Sequence, residues 1–272
     1  MYAGFIQSQP KFGDIQYNVE HLCNLISKTH ADLLVLPELC TTGYFFASGK
    51  QSAALAEQIP GGYACKAFSE LAKRKKMYFV AGIAEKSGNK TYNSAVLFGP
   101  SGVMSVYRKL HLYKYEKKWF DSGNLPLKVN KIKGAKVAMM ICFDYFFPEA
   151  MRKLALQGAD IICHPAALVL PYCQDAMRTR CLENGVYAIT ANRIGTEKSG
   201  GGVVAQFRRR KNDSLTFTGQ SQLTGTRGEI LYRAGANAET IKVIKIDPKL
   251  SRNKNLNPYN NLFHDRRPKY YN

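Results

Sequence analysis

The segment "KVAMMICFDYFFPEAMRKLALQGADIICHPA" (residues 136–166) reads as a strand, a helix and a second strand in immediate succession. An apolar run over 136–142 predicts a buried strand, and Pro148 suits the first turn of a helix over 148–159. The run over 160–166 predicts the returning strand. Cys142 stands where the first strand should stop, followed at once by Phe143, Asp144 and Tyr145. Such a cysteine is either a small core residue or a nucleophile held at a sheet edge, and this stretch alone leaves both readings open.

The same alternation extends in both directions. Toward the N-terminus, 2–7 reads as a strand, 18–30 as an amphipathic helix and 31–38 as a buried strand. A helix over 65–76 follows, then strands over 77–86, 91–100 and 102–112, with Ser101-Gly102 at a turn. Toward the C-terminus the pattern predicts a helix over 174–185, a strand over 186–195, and strands within 219–235 and 239–250 that close a sheet. "ADLLVLP" (31–37) and "ADIICHP" (159–165) share length, start and stop, which suggests two related halves. The segment 196–218, rich first in glycine and then in Arg and Lys, reads mostly as a surface loop. This is the rhythm of a layered α/β protein with one globular domain over 1–250 and a tail over 251–272.

Composition narrows the class. No apolar run approaches the ~18 residues that span a bilayer, and the first residues lack the pattern of a signal peptide, so the expectation is a soluble cytoplasmic protein. Seven cysteines, at 23, 40, 65, 142, 163, 173 and 181, are scattered with no C-x-x-C pair, arguing against a zinc knuckle or a disulfide framework. The formal charge of +19 keeps nucleic acid or an acidic partner open. The basic residues fall in short clusters (73–76, 208–211, 265–269) without a nucleic-acid-binding signature, so solvated surface is the preferred reading.

A free thiol is only about 3% ionised at pH 7, so a nucleophilic Cys142 needs a base or a neighbouring cation. Glu38 closes the strand over 31–38 and precedes the turn that contains Tyr44; Lys109 and Glu116 lie in "YRKLHLYKYEKKWF" (107–120). Strand ends of α/β sheets are where sites form, which favours Glu38 and Cys142.

Taken together, "LLVLPELCTTGY", "YRKLHLYKYEKKWF", "ICFDYFFPEAMRKLALQGADIICHPAAL", "RTRCLENGVYAITANRIG", "FTGQSQL" and "DRRPKYY" resemble the nitrilase superfamily, the carbon-nitrogen hydrolases. The resemblance covers nearly the whole chain. It implies a four-layer α-β-β-α sandwich over 1–250, with the 251–272 tail packing at the interface of a homodimer or higher even oligomer. It further implies a catalytic Glu38, Lys109 and Cys142, Glu116 as a second glutamate, and a substrate pocket touched by Tyr44, Phe143, Asp144, Tyr145 and His164. The implied reaction is hydrolysis of a small amide, an N-carbamoyl compound or an aliphatic nitrile through a thioester, with no cofactor or metal. Three departures, the basic segment 196–218, Arg227 in "TRGEI" and Cys181 in "CLEN", bear on the entrance and on substrate choice.

Overall fold

The computed structural model describes residues 1–202 and 214–271. In chain order, β1 (Tyr2–Gln7) leads through α1 (Ile15–Ser27) to β2 (Leu33–Val35), followed by α2 (Gly49–Leu55), α3 (Tyr63–Lys75), β3 (Tyr78–Ser87), β4 (Lys90–Gly99), β5 (Gly102–Arg108) and the single turn α4 (Glu116–Trp119). The second half runs β6 (Val129–Ile132), β7 (Ala135–Met139), α5 (Pro148–Leu156), β8 (Ile161–Ala166), α6 (Cys173–Asn184) and β9 (Tyr187–Asn192). After these come β10 (Thr196–Lys198), β11 (Ser214–Thr216), β12 (Gln222–Thr224), β13 (Ile230–Arg233) and β14 (Thr240–Lys245). Two six-stranded sheets result, ordered β14-β1-β2-β3-β4-β5 and β13-β12-β9-β8-β7-β6.

Period-two burial explains the stacking. From β2 onward Leu33 and Val35 enter the core shared with the second sheet, whereas Leu34 and Leu36 join Val19, Leu22 and Ile26 of α1 and Phe68 and Leu71 of α3. The second sheet receives Met151 and Leu154 of α5 and Met177 and Cys181 of α6. The layers are therefore helix, sheet, sheet, helix: the expected four-layer sandwich. The two echoing segments become β2 and β8, each flanked by parallel neighbours inside its own sheet. Their ends meet where the Glu38 N–H donates to the Ala166 carbonyl at 3.3 Å.

Several elements differ from expectation, each for a local reason. The first helix occupies 15–27 rather than 18–30, because Asp14 caps it by accepting from the Tyr17 N–H. The strand expected over 102–112 stops at Arg108, where Lys109 turns into the interior. The strand expected over 136–142 ends at Met139, and Cys142 opens a 3-10 turn over Cys142–Phe146. Part of the segment read as a loop over 196–218 is a ribbon: Thr196–Lys198 pairs antiparallel with Ser214–Thr216. Residues 203–213 of that segment, including its basic cluster at 208–211, lie outside the described residues.

The tail from Ser251 folds back on its own chain. Ser251 and Arg252 hydrogen-bond the buried Asp160 carboxylate, and the Lys254 ammonium caps α6 by donating to the carbonyls of Asn184 and Gly185. No helix among the described residues is long and apolar enough to cross a membrane.

Candidate active site

Four side chains from four separate stretches converge where β2, β5 and β7 end. Glu38 lies in the turn after β2, a turn that passes so close over β3 that a Cβ on Gly82 would come within 2.5 Å of the Glu38 Cα. Lys109 is the first residue beyond β5 and stays tied to the sheet through its N–H, which donates to the Asn93 carbonyl at 2.8 Å. Glu116 opens α4, and Cys142 opens the turn after β7. All four are buried, Cys142 retaining 5% exposure.

Their hydrogen bonds form one chain. The Lys109 ammonium donates to Glu38 Oε1 and to Glu116 Oε1, both at 2.7 Å. Asn93 Nδ2 also donates to Glu38 Oε1 at 2.7 Å. Glu116 further accepts from the Tyr44 hydroxyl at 2.7 Å and the Tyr113 N–H at 2.9 Å. Glu38 Oε2 alone among these carboxylate oxygens has no partner among the described residues. A buried acceptor without a donor is costly, on the order of 1–3 kcal/mol, and marks a site prepared for a proton or an N–H from elsewhere.

Cys142 holds φ at +42°, a left-handed conformation that costs a non-glycine residue on the order of 1–3 kcal/mol. The surroundings hold it there. Asp144 Oδ2 accepts from the Ile141 N–H at 2.8 Å and from the Tyr107 hydroxyl at 2.7 Å, while Asp144 Oδ1 accepts from the backbone N–H of His111 and stands 2.7 Å from its Nδ1. Tyr107 and His111 lie two residues either side of Lys109, so one carboxylate fastens the nucleophile turn to the chain that delivers the lysine. His164 Nε2 donates to the Cys142 carbonyl at 2.9 Å, leaving Nδ1 to accept from the Thr190 hydroxyl. Burial lowers the His164 pKa and keeps the ring neutral, as this arrangement requires.

Burial also pushes the Cys142 thiol well above its ordinary range; Glu38 and Glu116 push the same way, and Lys109 opposes them. The resting group is thus a thiol, and attack requires removal of its proton. Burial works against the Lys109 charge, but Glu116 and Glu38 outweigh it and raise its pKa, so the ammonium persists. For Glu116, burial leads and Glu38 adds to it against Lys109, raising the carboxyl from 4.5 to about 7.

That last shift has a readable consequence. The three groups that meet Glu116 are all donors, so the observed network is that of the carboxylate, and protonation must break one of its bonds. Because the folded pKa is the raised one, stability from this group is full below about 4.5 and is lost as pH rises through about 7. Activity runs the other way, gaining with the carboxylate. We expect kcat to rise along an acid limb centred near pH 7, and Glu116→Gln to be slower and to lack that limb. A limb unchanged in Glu116→Gln would assign it to another group.

A hollow of about 20 Å³ opens beside Cys142, lined by Tyr113, Phe143, Tyr145, Ala167, Leu168, Val169 and Leu170. Phe143 and Tyr145, expected to touch substrate, are among the residues that line it. Tyr44 lines a neighbouring hollow and meets Glu116 through its hydroxyl. Asp144 and His164, also expected at the pocket, are fully buried behind the Cys142 turn and line neither hollow, their polar atoms being committed to holding that turn. Sequence reading also passed over Asn93, Tyr113 and Glu197. Glu197 Oε2 accepts from the N–H groups of Tyr44 and Phe45 at 2.9 Å and pairs with the buried Arg193, fixing the wall that carries Tyr44. The available signal for Asn93 was a polar pair, Asn93-Ser94, inside an otherwise apolar strand.

A buried thiol on a strained turn, with a carboxylate–ammonium–carboxylate chain behind it, is an arrangement suited to hydrolysis through a cysteine nucleophile. Residues 3–254 match the family model for carbon-nitrogen hydrolases; the chain belongs to that family and is a carbon-nitrogen hydrolase. It is 42% identical to a protein named nitrilase from Pyrococcus abyssi, over 99% of this chain and 98% of that one. Against an (R)-stereoselective amidase from a Pseudomonas species the identity is 30%, over 91% and 85% of the two chains. A crystal structure of a carbon-nitrogen hydrolase from Helicobacter pylori superposes with a TM-score of 0.87 at 29% identity, covering 100% of this chain and 97% of that one.

Proposed function

We propose that the protein is an amidase that converts small amides to the acid and ammonia through a thioester on Cys142. The observation that carries this reading is the buried Oε2 of Glu38, the one carboxylate oxygen of the Glu38–Lys109–Glu116 chain without a partner among the described residues. As general base, Glu38 takes the Cys142 proton while sulfur bonds the amide carbon and the carbonyl electrons move to oxygen. Lys109 and the Phe143 N–H, at the start of the 3-10 turn where no intrahelical acceptor is due, stabilise that oxyanion. Collapse breaks the carbon-nitrogen bond, and Glu38 returns its proton to the departing nitrogen. The same carboxylate then deprotonates the water that opens the thioester.

Amides are favoured over nitriles because their NH₂ offers a hydrogen for the open Glu38 acceptor, and a nitrile nitrogen has none to offer. The nitrile reading rests on the Pyrococcus relative's name and uses the same side chains. The test is ammonia release, with identification of the acid, from matched amides and nitriles of equal chain length. Faster turnover of the nitriles would overturn the preference.

Tail and assembly belong to the same proposal. Phe146, Tyr172 and Leu182 are exposed on the nucleophile turn and α6, which are linked by the Arg180 Nε donating to the Tyr145 carbonyl; Tyr259, Tyr270 and Tyr271 are exposed on the tail. An apolar surface of this kind suits a second copy of the chain, giving a homodimer or a higher even oligomer. Light scattering should return a dimer mass or an even multiple, and Tyr172→Asp should weaken the assembly; a monomer at micromolar concentration would contradict it. Seven free cysteines, six of them buried, suit a reducing, cytoplasmic location.

A further inference from the structure

The two hollows at the site meet along Tyr113 and Val169, which line both. On the Cys142 side the space is about 20 Å³, against roughly 10–15 Å³ needed to hold one water, so the hollow suits a small acyl group. Its floor is Tyr145, Ala167 and Leu168, all buried; Val169, Leu170, Tyr113 and Phe143 are partly exposed and form the rim. No Asp, Glu, Lys, Arg or His among the described residues lines it. The neighbouring hollow, also about 20 Å³, is lined by Tyr44, Tyr115, Trp119, Leu215 and Lys114 as well as the two shared residues. Lys114 is exposed, and it is the only charged side chain there among the described residues.

Building on the amidase reading above, we propose that the enzyme selects amides with a short, uncharged aliphatic acyl group, and that Val169 sets the length limit by separating the acyl hollow from its aromatic neighbour. A longer chain has to cross the Val169 side chain. Among the described residues that line the two hollows, an ammonium-tailed chain finds no carboxylate to receive it and meets Lys114 beyond the divide. Truncating Val169 joins the hollows and gives an extended acyl chain an aromatic wall to lie against. Val169 takes no part in the hydrogen bonds of Glu38, Lys109 and Glu116, so the change acts on the apolar wall and leaves that network in place. Tyr113 is the less clean site for such a test because its N–H holds Glu116.

The experiment compares kcat/KM for acetamide, propionamide, butyramide, pentanamide, hexanamide and 4-aminobutyramide in the wild type and in Val169→Ala, with Cys142→Ala as the blank. One methylene in an apolar pocket is worth roughly 10-fold or more, so the wild type should fall by that factor per carbon beyond its optimum among the shortest amides. It should also turn over 4-aminobutyramide at least about 10-fold more slowly than butyramide. Val169→Ala should move the optimum to pentanamide or hexanamide, raising the hexanamide-to-propionamide ratio of kcat/KM by about 10-fold or more. Amide turnover with an unchanged length profile in Val169→Ala, or a wild-type preference for the longest or the ammonium-tailed amide, overturns this assignment and leaves the amidase reading standing. Silence on every amide overturns both.

Discussion

Replacing Cys142 by alanine is expected to lower turnover by at least about 10⁴-fold, with the fold retained. The size follows from what remains. Glu38, Lys109 and the turn N–H can still bind and polarise an amide, but no group is left that can form the covalent intermediate. The fold should survive because Cys142 loses one sulfur from a partly open position, and because alanine keeps the backbone that His164 and Asp144 hold. Melting temperature and ammonia release measured side by side check both halves. Activity within 10-fold of wild type would place the nucleophile elsewhere.

Lys109→Met is the second large effect, and it acts on stability as well as rate. Loss of an oxyanion donor costs about 10²–10³ in kcat. Removing the ammonium also leaves Glu38 and Glu116, both fully buried, without the charge that compensates them, and breaking a buried pair of this kind costs about 3–5 kcal/mol. The penalty is pH-dependent with a definite sign. Without Lys109 the Glu116 pKa rises further, so below neutrality one carboxylate takes up a proton and relieves the repulsion. Urea unfolding should therefore show a larger loss for Lys109→Met at pH 8.5 than at pH 6. An equal loss at both would mean that the carboxylates do not depend on the lysine.

The layered fold was legible because its signals are repeated and local. Continuous apolar runs in 31–38 and 77–86, and apolar spacing at Val19, Leu22 and Ile26, each mark a buried element on their own. Elements without such signals were passed over: α2 over "GKQSAAL" buries only Ser52, α4 is a single turn among lysines, and β6 is four residues with a lysine in its middle. At the site, Glu38 and Cys142 stood out as strand-end residues and Lys109 as a candidate cation, but their convergence could be inferred only through the resemblance. The contact of His164 with the Cys142 carbonyl was not legible, because a histidine at a strand end looks the same whether it faces substrate or a backbone carbonyl. The ribbon that carries Glu197 was hidden by its own composition, since Gly, Lys and Thr carry no apolar alternation. What escaped the sequence was in each case set by contacts between segments far apart in the chain, such as Glu197 with Tyr44 and Asp144 with Tyr107.

The most direct test is to mix the enzyme with propionamide, quench in acid at successive times from milliseconds onward, and map the modified peptide by mass spectrometry. A propionyl group on Cys142, forming before or with ammonia release and absent from Cys142→Ala, is the predicted result. Steady ammonia release with Cys142 unmodified at every time, or with the acyl group on another side chain, would contradict the thioester mechanism.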